Sequence, residues 1–239
     1  MGVFFYGGHK MRIRNPFKSL NRTERVIWGI SIVLVTLSYF LGGGGILSLT
    51  ASVIGVTALI FVSKGDVFGQ EMTVIFSLLY AVISYGFSYY GEMITYLGMT
   101  APTALLSVIS WLKNPYEGDK TEVRVAALTL KKVIILFTLT SFVTFVFYFI
   151  LKYFNTANLI FSTVSVFTSF LAGSLTFLRS SYYAIAYGAN DIVLIILWIL
   201  AALENPSYLP MIICFAAFLM NDLYGFVNWR KIQARQSAE

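Results

Sequence analysis

The 239-residue chain is 58% hydrophobic and only 12% charged, with a net charge of +6 and a mean hydropathy of +0.77. Soluble domains carry about 25% charged residues, so the composition excludes an ordinary soluble fold and points to an all-α polytopic membrane protein. One cysteine, Cys214 in an apolar run, excludes an internal disulfide or a cysteine metal cluster, and one histidine, His9 in a basic tail, argues against a b-type haem or a His-liganded zinc site.

Taken in chain order, the first ten residues, MGVFFYGGHK, are too short for a signal-peptide core and lack a small-residue cleavage site. Eight apolar spans follow, at 26–41, 46–63, 70–90, 92–113, 132–151, 157–178, 182–203 and 207–229. Most are about 18–23 residues, enough to cross about 30 Å of hydrocarbon at about 1.5 Å per residue. Gly42–Gly45 separates the first two spans. Each glycine costs a helix about 1 kcal/mol, so the run predicts a tight turn. A seven-span alternative fuses those two spans.

With the N-terminus inside, 16 of the 17 Lys and Arg residues fall on the inner side, and only Lys152 lies outside. This asymmetry predicts an even number of crossings with both termini cytoplasmic. The longest loop, Asn114–Lys131, is then cytoplasmic, and its EVRVAALTL stretch alternates enough for a small hairpin.

The fourth span ends SVISWLKN and the eighth YGFVNWRK. Aligning Trp111 with Trp229 places Lys113 on Lys231 and Ser107 on Gly225, small residues that allow close helix approach. Spans 2–4 thus recur as spans 6–8, with span 5 between them. The predicted organisation is a cytoplasmic tail (1–25), an extra N-terminal transmembrane helix and turn (26–45), a first three-helix unit (46–113), a cytoplasmic loop and linker helix (114–156), a second three-helix unit (157–229) and a cytoplasmic tail (230–239). Carriers often bind solute near the midplane between such halves. An interfacial Trp-Lys anchor arising twice is the alternative.

Several polar residues stand out in this apolar setting. Asn190 and Asp191 lie near the centre of span seven, where an unpaired carboxylate costs several kcal/mol. They read as the lining of a solute cavity or as a proton site, against a structural hydrogen bond. Asn221 and Asp222, followed by Tyr224, sit towards the inner end of span eight as a gate or as a packing cluster. Glu92 falls at the outer turn before span four, where an exposed carboxylate is usually just solvated, and Tyr96 and Thr100 follow on the same helical face. Pro102 frees backbone carbonyls nearby. Thr163, Ser165, Thr168 and Ser169 crowd span six, either for a hydroxylated ligand or for bonds within their own helix. Tyr187 and Trp198 belong to an aromatic fraction of 17%, most of it assignable to interface belts and core. The acids look dispersed: Glu92 outer, Asp191 central, Asp222 inner. No P-loop, HExxH, GxSxG or voltage-sensor pattern is present. Basic residues inside the spans are essentially missing, which argues for a neutral or cationic solute.

These residues also carry a family likeness. YGEMITYLGMTAPTALLSVISW resembles the fourth-helix signature of the PnuC-type vitamin and nucleoside transporters, with Tyr90, Gly91, Glu92, Pro102 and Trp111 in register. NDLYGFVNWRK resembles the family's last helix through Asn221, Tyr224, Gly225 and Trp229, and Asp191 and Trp198 keep the spacing of its seventh. The likeness covers most of residues 46–231. Tyr96 stands where the family has Asn or Gln, Thr100 for Tyr, Ser107 for Gly, Asp191 for Asn, and Tyr187 and Ala184 replace paired Trp. The resemblance implies eight transmembrane helices in which one N-terminal helix precedes a 3+1+3 bundle similar to the SWEET sugar transporters, with trimers in some members. It implies facilitated diffusion of nicotinamide riboside across a bacterial inner membrane, feeding NAD biosynthesis, with a cytosolic kinase trapping the nucleoside. The implied contacts are Glu92, Tyr96, Thr100, Tyr187, Asn190, Asp191, Trp198, Asn221 and Tyr224, with no cofactor, metal or nucleic-acid partner and no enzymatic activity. A deoxynucleoside, thiamine or riboflavin carrier, a proton-coupled variant, an intramembrane enzyme and a receptor-like protein are the alternatives.

Overall fold

The computed structural model describes residues 5–6, 9–10, 15–42, 45–86, 90–117 and 121–238. Among these residues, eight helices are long and apolar enough to cross a membrane. They are α1 (Arg22–Gly42), α2 (Ile46–Ser63), α3 (Val67–Gly86), α4 (Tyr90–Leu112), α5 (Leu130–Tyr153), α6 (Leu159–Phe177), α7 (Tyr183–Glu204) and α8 (Leu209–Ala238). α1 and α2 are separate helices, which overturns the seven-span alternative. The predicted glycine turn between them falls partly on Gly43 and Gly44, outside the described residues.

Two end-of-helix structures are built alike. α2 ends on Gly65 at φ 71° and α6 on Arg179 at φ 58°, the left-handed turn that closes many helices. In the first, the amides of Gly65 and Asp66 donate to Val62 O and Phe61 O. In the second, those of Arg179 and Ser180 donate to Thr176 O and Leu175 O. The carbonyls of Gly65 and Arg179 then accept from Val123 N and Ala126 N of the long loop. Each third helix reaches across to the other unit. Trp111 Nε1 donates to Thr176 O at 3.0 Å and Trp229 Nε1 to Val62 O at 2.9 Å, and the two rings meet at 5.4 Å. Both indoles are fully buried, and each is a second donor to a carbonyl that also accepts a backbone amide, Arg179 N on Thr176 O and Gly65 N on Val62 O.

The long loop departs from the predicted hairpin. Its turn comes earlier, with Tyr116 N donating to Glu122 O and Arg124 N to Asn114 O, and Val125–Thr129 pairs with no strand. The loop is clamped by the end of α8, where Arg235 and Gln236 bond Glu122. On the same side, Glu24 of α1 caps its own helix through Asn21 N and pairs with Lys64 Nζ at 3.2 Å. α5 packs mainly on α6 and only 11% of its apolar window is buried. Its bare face of Ile134, Phe142, Phe145 and Phe149 suits lipid, where apolar side chains need no protein partner.

Candidate solute cavity

Six helices, α2, α3, α4, α6, α7 and α8, close around a cavity of about 60 Å³. That is room for about four waters at roughly 15 Å³ each. It is well below the about 300 Å³ at which small-molecule pockets begin.

Helical spacing sets its walls. α2 turns Gly55, Ala58, Leu59 and Val62 inward, α3 gives Gln70, Thr73 and Phe76, and α7 gives Tyr187, Asn190 and Asp191. α8 supplies Phe215, Phe218 and Asp222, and α6 supplies Ser169. α4 contributes Tyr96 and Thr100 from a π-helical turn over Tyr96–Thr100, closed by Ala101 N donating to Tyr96 O. Glu92 lies in the α-helical turn before it, Tyr90–Thr95. Tyr96 and Thr100 reach the cavity and Glu92 does not.

Asn190 is anchored from α6. Thr168 Oγ1 and Ser169 Oγ lie 2.8 and 2.9 Å from its Oδ1, with Ser165 Oγ at 3.5 Å. The dense hydroxyls of α6 thus divide. Thr163 bonds only Leu159 O of its own helix, while Thr168 bonds both its helix and Asn190. Asp191 is 3% exposed, and its Oδ2 has no protein partner. Its carboxyl lies within hydrogen-bonding reach of that of Asp222, also 3% exposed. No Lys or Arg lines the cavity.

The picture of dispersed acids is therefore corrected. Asp222 is buried on the same cavity wall as Asp191. Glu92 is likewise not exposed at an outer turn but 3% exposed, in electrostatic reach of Tyr80 and Tyr96. Of the other predicted contacts, Trp198 is 1% exposed and packs on Tyr208 at 5.6 Å. Asn221 Nδ2 donates to Ser31 Oγ at 2.9 Å and Ala217 O at 2.7 Å, tying α8 to α1. Tyr224 donates to Glu24 Oε1 at 3.3 Å. None of these four lines the cavity. Sequence reading passed over Gln70 and Thr73. Gln70, an amide inside the apolar stretch VFGQEMTVIF, was the available signal. Phe76, Phe215 and Phe218 are indistinguishable in sequence from core aromatics.

An eight-span helical bundle that closes around a polar, acid-lined cavity is a solute transporter in class. The nicotinamide mononucleotide transporter family matches residues 45–231, and the chain belongs to that family. A nicotinamide riboside transporter PnuC of Neisseria mucosa is 29% identical over 197 residues, covering 81% of this chain and 75% of that protein. A nicotinamide riboside transporter PnuC of Haemophilus influenzae is 26% identical over 226 residues, covering 94% and 97%. The crystal structure of the Vitamin B3 transporter PnuC superposes with a TM-score of 0.81 at 26% identity, over 92% of this chain and 96% of that one. Four positions where this chain departs from the family pattern, Tyr96, Thr100, Tyr187 and Asp191, lie on the cavity wall. Ser107 and Ala184 do not.

Proposed function

We propose that the protein imports nicotinamide riboside by facilitated diffusion across a bacterial inner membrane, with both termini in the cytoplasm. The observation that carries this reading is the cavity wall: two carboxyls, two amides and several hydroxyls, with no basic residue. Carboxyls favour the cationic pyridinium ring and repel a phosphate, so the unphosphorylated nucleoside fits and the mononucleotide does not. Asn190 and Ser169 suit ribose hydroxyls, and Tyr96 and Tyr187 offer flat faces to the ring. The two three-helix units rock about the cavity to expose it alternately. The small volume is then an occluded or empty stage of that cycle. A cytosolic kinase removes the arriving nucleoside by phosphorylation, and the bare face of α5 serves a trimer contact or lipid.

The test is a thermal-shift panel of nucleosides and vitamins on the purified protein, followed by flux of the best ligand in liposomes. A ligand bound only by the folded form raises the melting temperature. Nicotinamide riboside is expected to give the largest shift and saturable flux. A larger shift with thymidine, thiamine or riboflavin would reassign the substrate, and saturable binding without flux would sink transport itself.

A further inference from the structure

Gln70 brings an amide to the cavity wall that nothing else in the protein uses. It lies in the first turn of α3 and is 3% exposed, while Glu71 beside it is exposed. Gln70, Thr73 and Phe76 fall at i, i+3 and i+6, the face of α3 that lines the cavity. The backbone beneath is fixed. A Cβ on Gly69 would come within 2.3 Å of Val62 N and 2.8 Å of Ala58 O, so α3 lies directly against α2 at this point.

A side-chain amide offers two N–H donors and a carbonyl acceptor, and burying it without partners is costly. Among the described residues, no hydrogen bond reaches the side chain of Gln70. The other polar groups of the wall are committed differently. Asn190 Oδ1 is taken by Thr168 Oγ1 and Ser169 Oγ at 2.8 and 2.9 Å, which leaves Asn190 its Nδ2 to offer. Thr73 Oγ1 donates to Gly69 O at 2.9 Å. Asp191 and Asp222, as carboxylates, only accept. Among the described residues, Gln70 is therefore the one amide on the wall with donor and acceptor both free.

We propose that Gln70 is the specificity-determining residue for a primary carboxamide on the solute. Two amides are self-complementary: Gln70 Nε2 donates to the carboxamide oxygen while Gln70 Oε1 accepts from the carboxamide N–H. A ketone or ester on the same ring supplies an acceptor and no donor. A ring carboxylate supplies no donor either, and it meets Asp191 and Asp222 as a like charge. A site built for two hydrogen bonds rejects the analogue lacking one, because its own buried group is left unpaired. This inference rests on the proposed function and deepens it: the carboxyls select a cationic ring, and Gln70 selects which cationic ring.

The experiment is calorimetric binding of two ribosides to wild type and Gln70→Met. One is nicotinamide riboside, and the other is 3-acetylpyridine riboside, which keeps the cationic ring and the carbonyl but has no N–H. Wild type should prefer the carboxamide by about tenfold, and Gln70→Met should bind the two within about threefold of each other. Unliganded Gln70→Met should melt no lower than wild type, since the amide has no protein partner to lose. A lower melting temperature would make the amide structural and overturn the assignment. An unchanged preference in Gln70→Met, or none in wild type, would overturn it while leaving the solute site intact. Wild-type binding of neither riboside would overturn the proposed function, and this assignment with it. Gln70→Asn, which keeps the amide one methylene short, is the second variant and should narrow the preference. If Gln70→Met does not fold, an undiminished preference in Gln70→Asn overturns the assignment.

Discussion

Helices α2–α4 and α6–α8 share closing turns and indole contacts but not a chemistry. Aligning Gly65 with Arg179 pairs Gly55 with Ser169, Thr73 with Tyr187 and Phe76 with Asn190, and all six lie on the cavity wall. Aligning Trp111 with Trp229 pairs Thr100 with Phe218, again both on the wall. Yet the acids sit on one side only. Asp191 falls opposite Ser77, whose hydroxyl donates to Thr73 O within its own helix at 2.7 Å, and Asp222 falls opposite Ala104. Both sets of helices bring an amide and aromatic rings, Gln70, Phe76 and Tyr96 from one and Asn190, Tyr187, Phe215 and Phe218 from the other, and only the second brings carboxyls.

The largest expected effect tests that asymmetry. Asp191→Ala should weaken nicotinamide riboside binding by about 10–100-fold, since hydrogen bonds to charged groups are worth about 1.5–3 kcal/mol, with folded yield retained. Ser77→Ala, its counterpart, should change uptake by less than about threefold, because its bond stays inside one helix. Equal loss of folded protein and uptake in Asp191→Ala would make that carboxyl structural. Asn190→Ala should follow, at about tenfold in affinity, read by the ligand-induced thermal shift. Phe76→Leu should instead destabilise the unliganded protein by about 1 kcal/mol, read as a lower melting temperature.

The shared scaffold is tested next. Trp111→Phe and Trp229→Phe each remove one of two donors to a carbonyl and should each cost about 0.5–1.5 kcal/mol in thermal unfolding. A cost confined to one of them would break the correspondence between the units. The smallest effect is at the two left-handed turns. Gly65→Ala should destabilise by about 1 kcal/mol, whereas Arg179→Gly should stabilise by about 0.5 kcal/mol, the relief of left-handed strain being largely offset by glycine's freedom in the unfolded chain.

The eight helices were legible because apolar runs of bilayer length have few other uses. Hydropathy is blind to what continues in water. RKIQARQSA is polar, and it carries α8 on to Ala238. α1 begins at Arg22, ahead of its apolar run, because Asn21 and Glu24 cap each other's backbone amides at 2.9 and 2.7 Å. Glu92 looked solvated because YYGEM reads as a turn. Instead Gly91 leaves space that Thr156 and Leu151 crowd, and the helix entry is buried. Within the cavity, Asn190, Asp191, Tyr96, Thr100 and Tyr187 were singled out because polar or tyrosyl groups in an apolar helix need a reason. Gln70 and Thr73 carried a weaker version of the same signal. The meeting of Asp191 with Asp222 is a matter of how α7 and α8 cross, and no single-helix pattern encodes it.

The central claim is that an acid-lined, base-free cavity selects a cationic nucleoside without phosphate. Calorimetry of nicotinamide riboside and nicotinamide mononucleotide against the same purified protein tests it most directly. The riboside should bind saturably and at least about tenfold more tightly, because each like-charge contact with the phosphate opposes binding by a kcal/mol or more. Equal or tighter binding of the mononucleotide would contradict it.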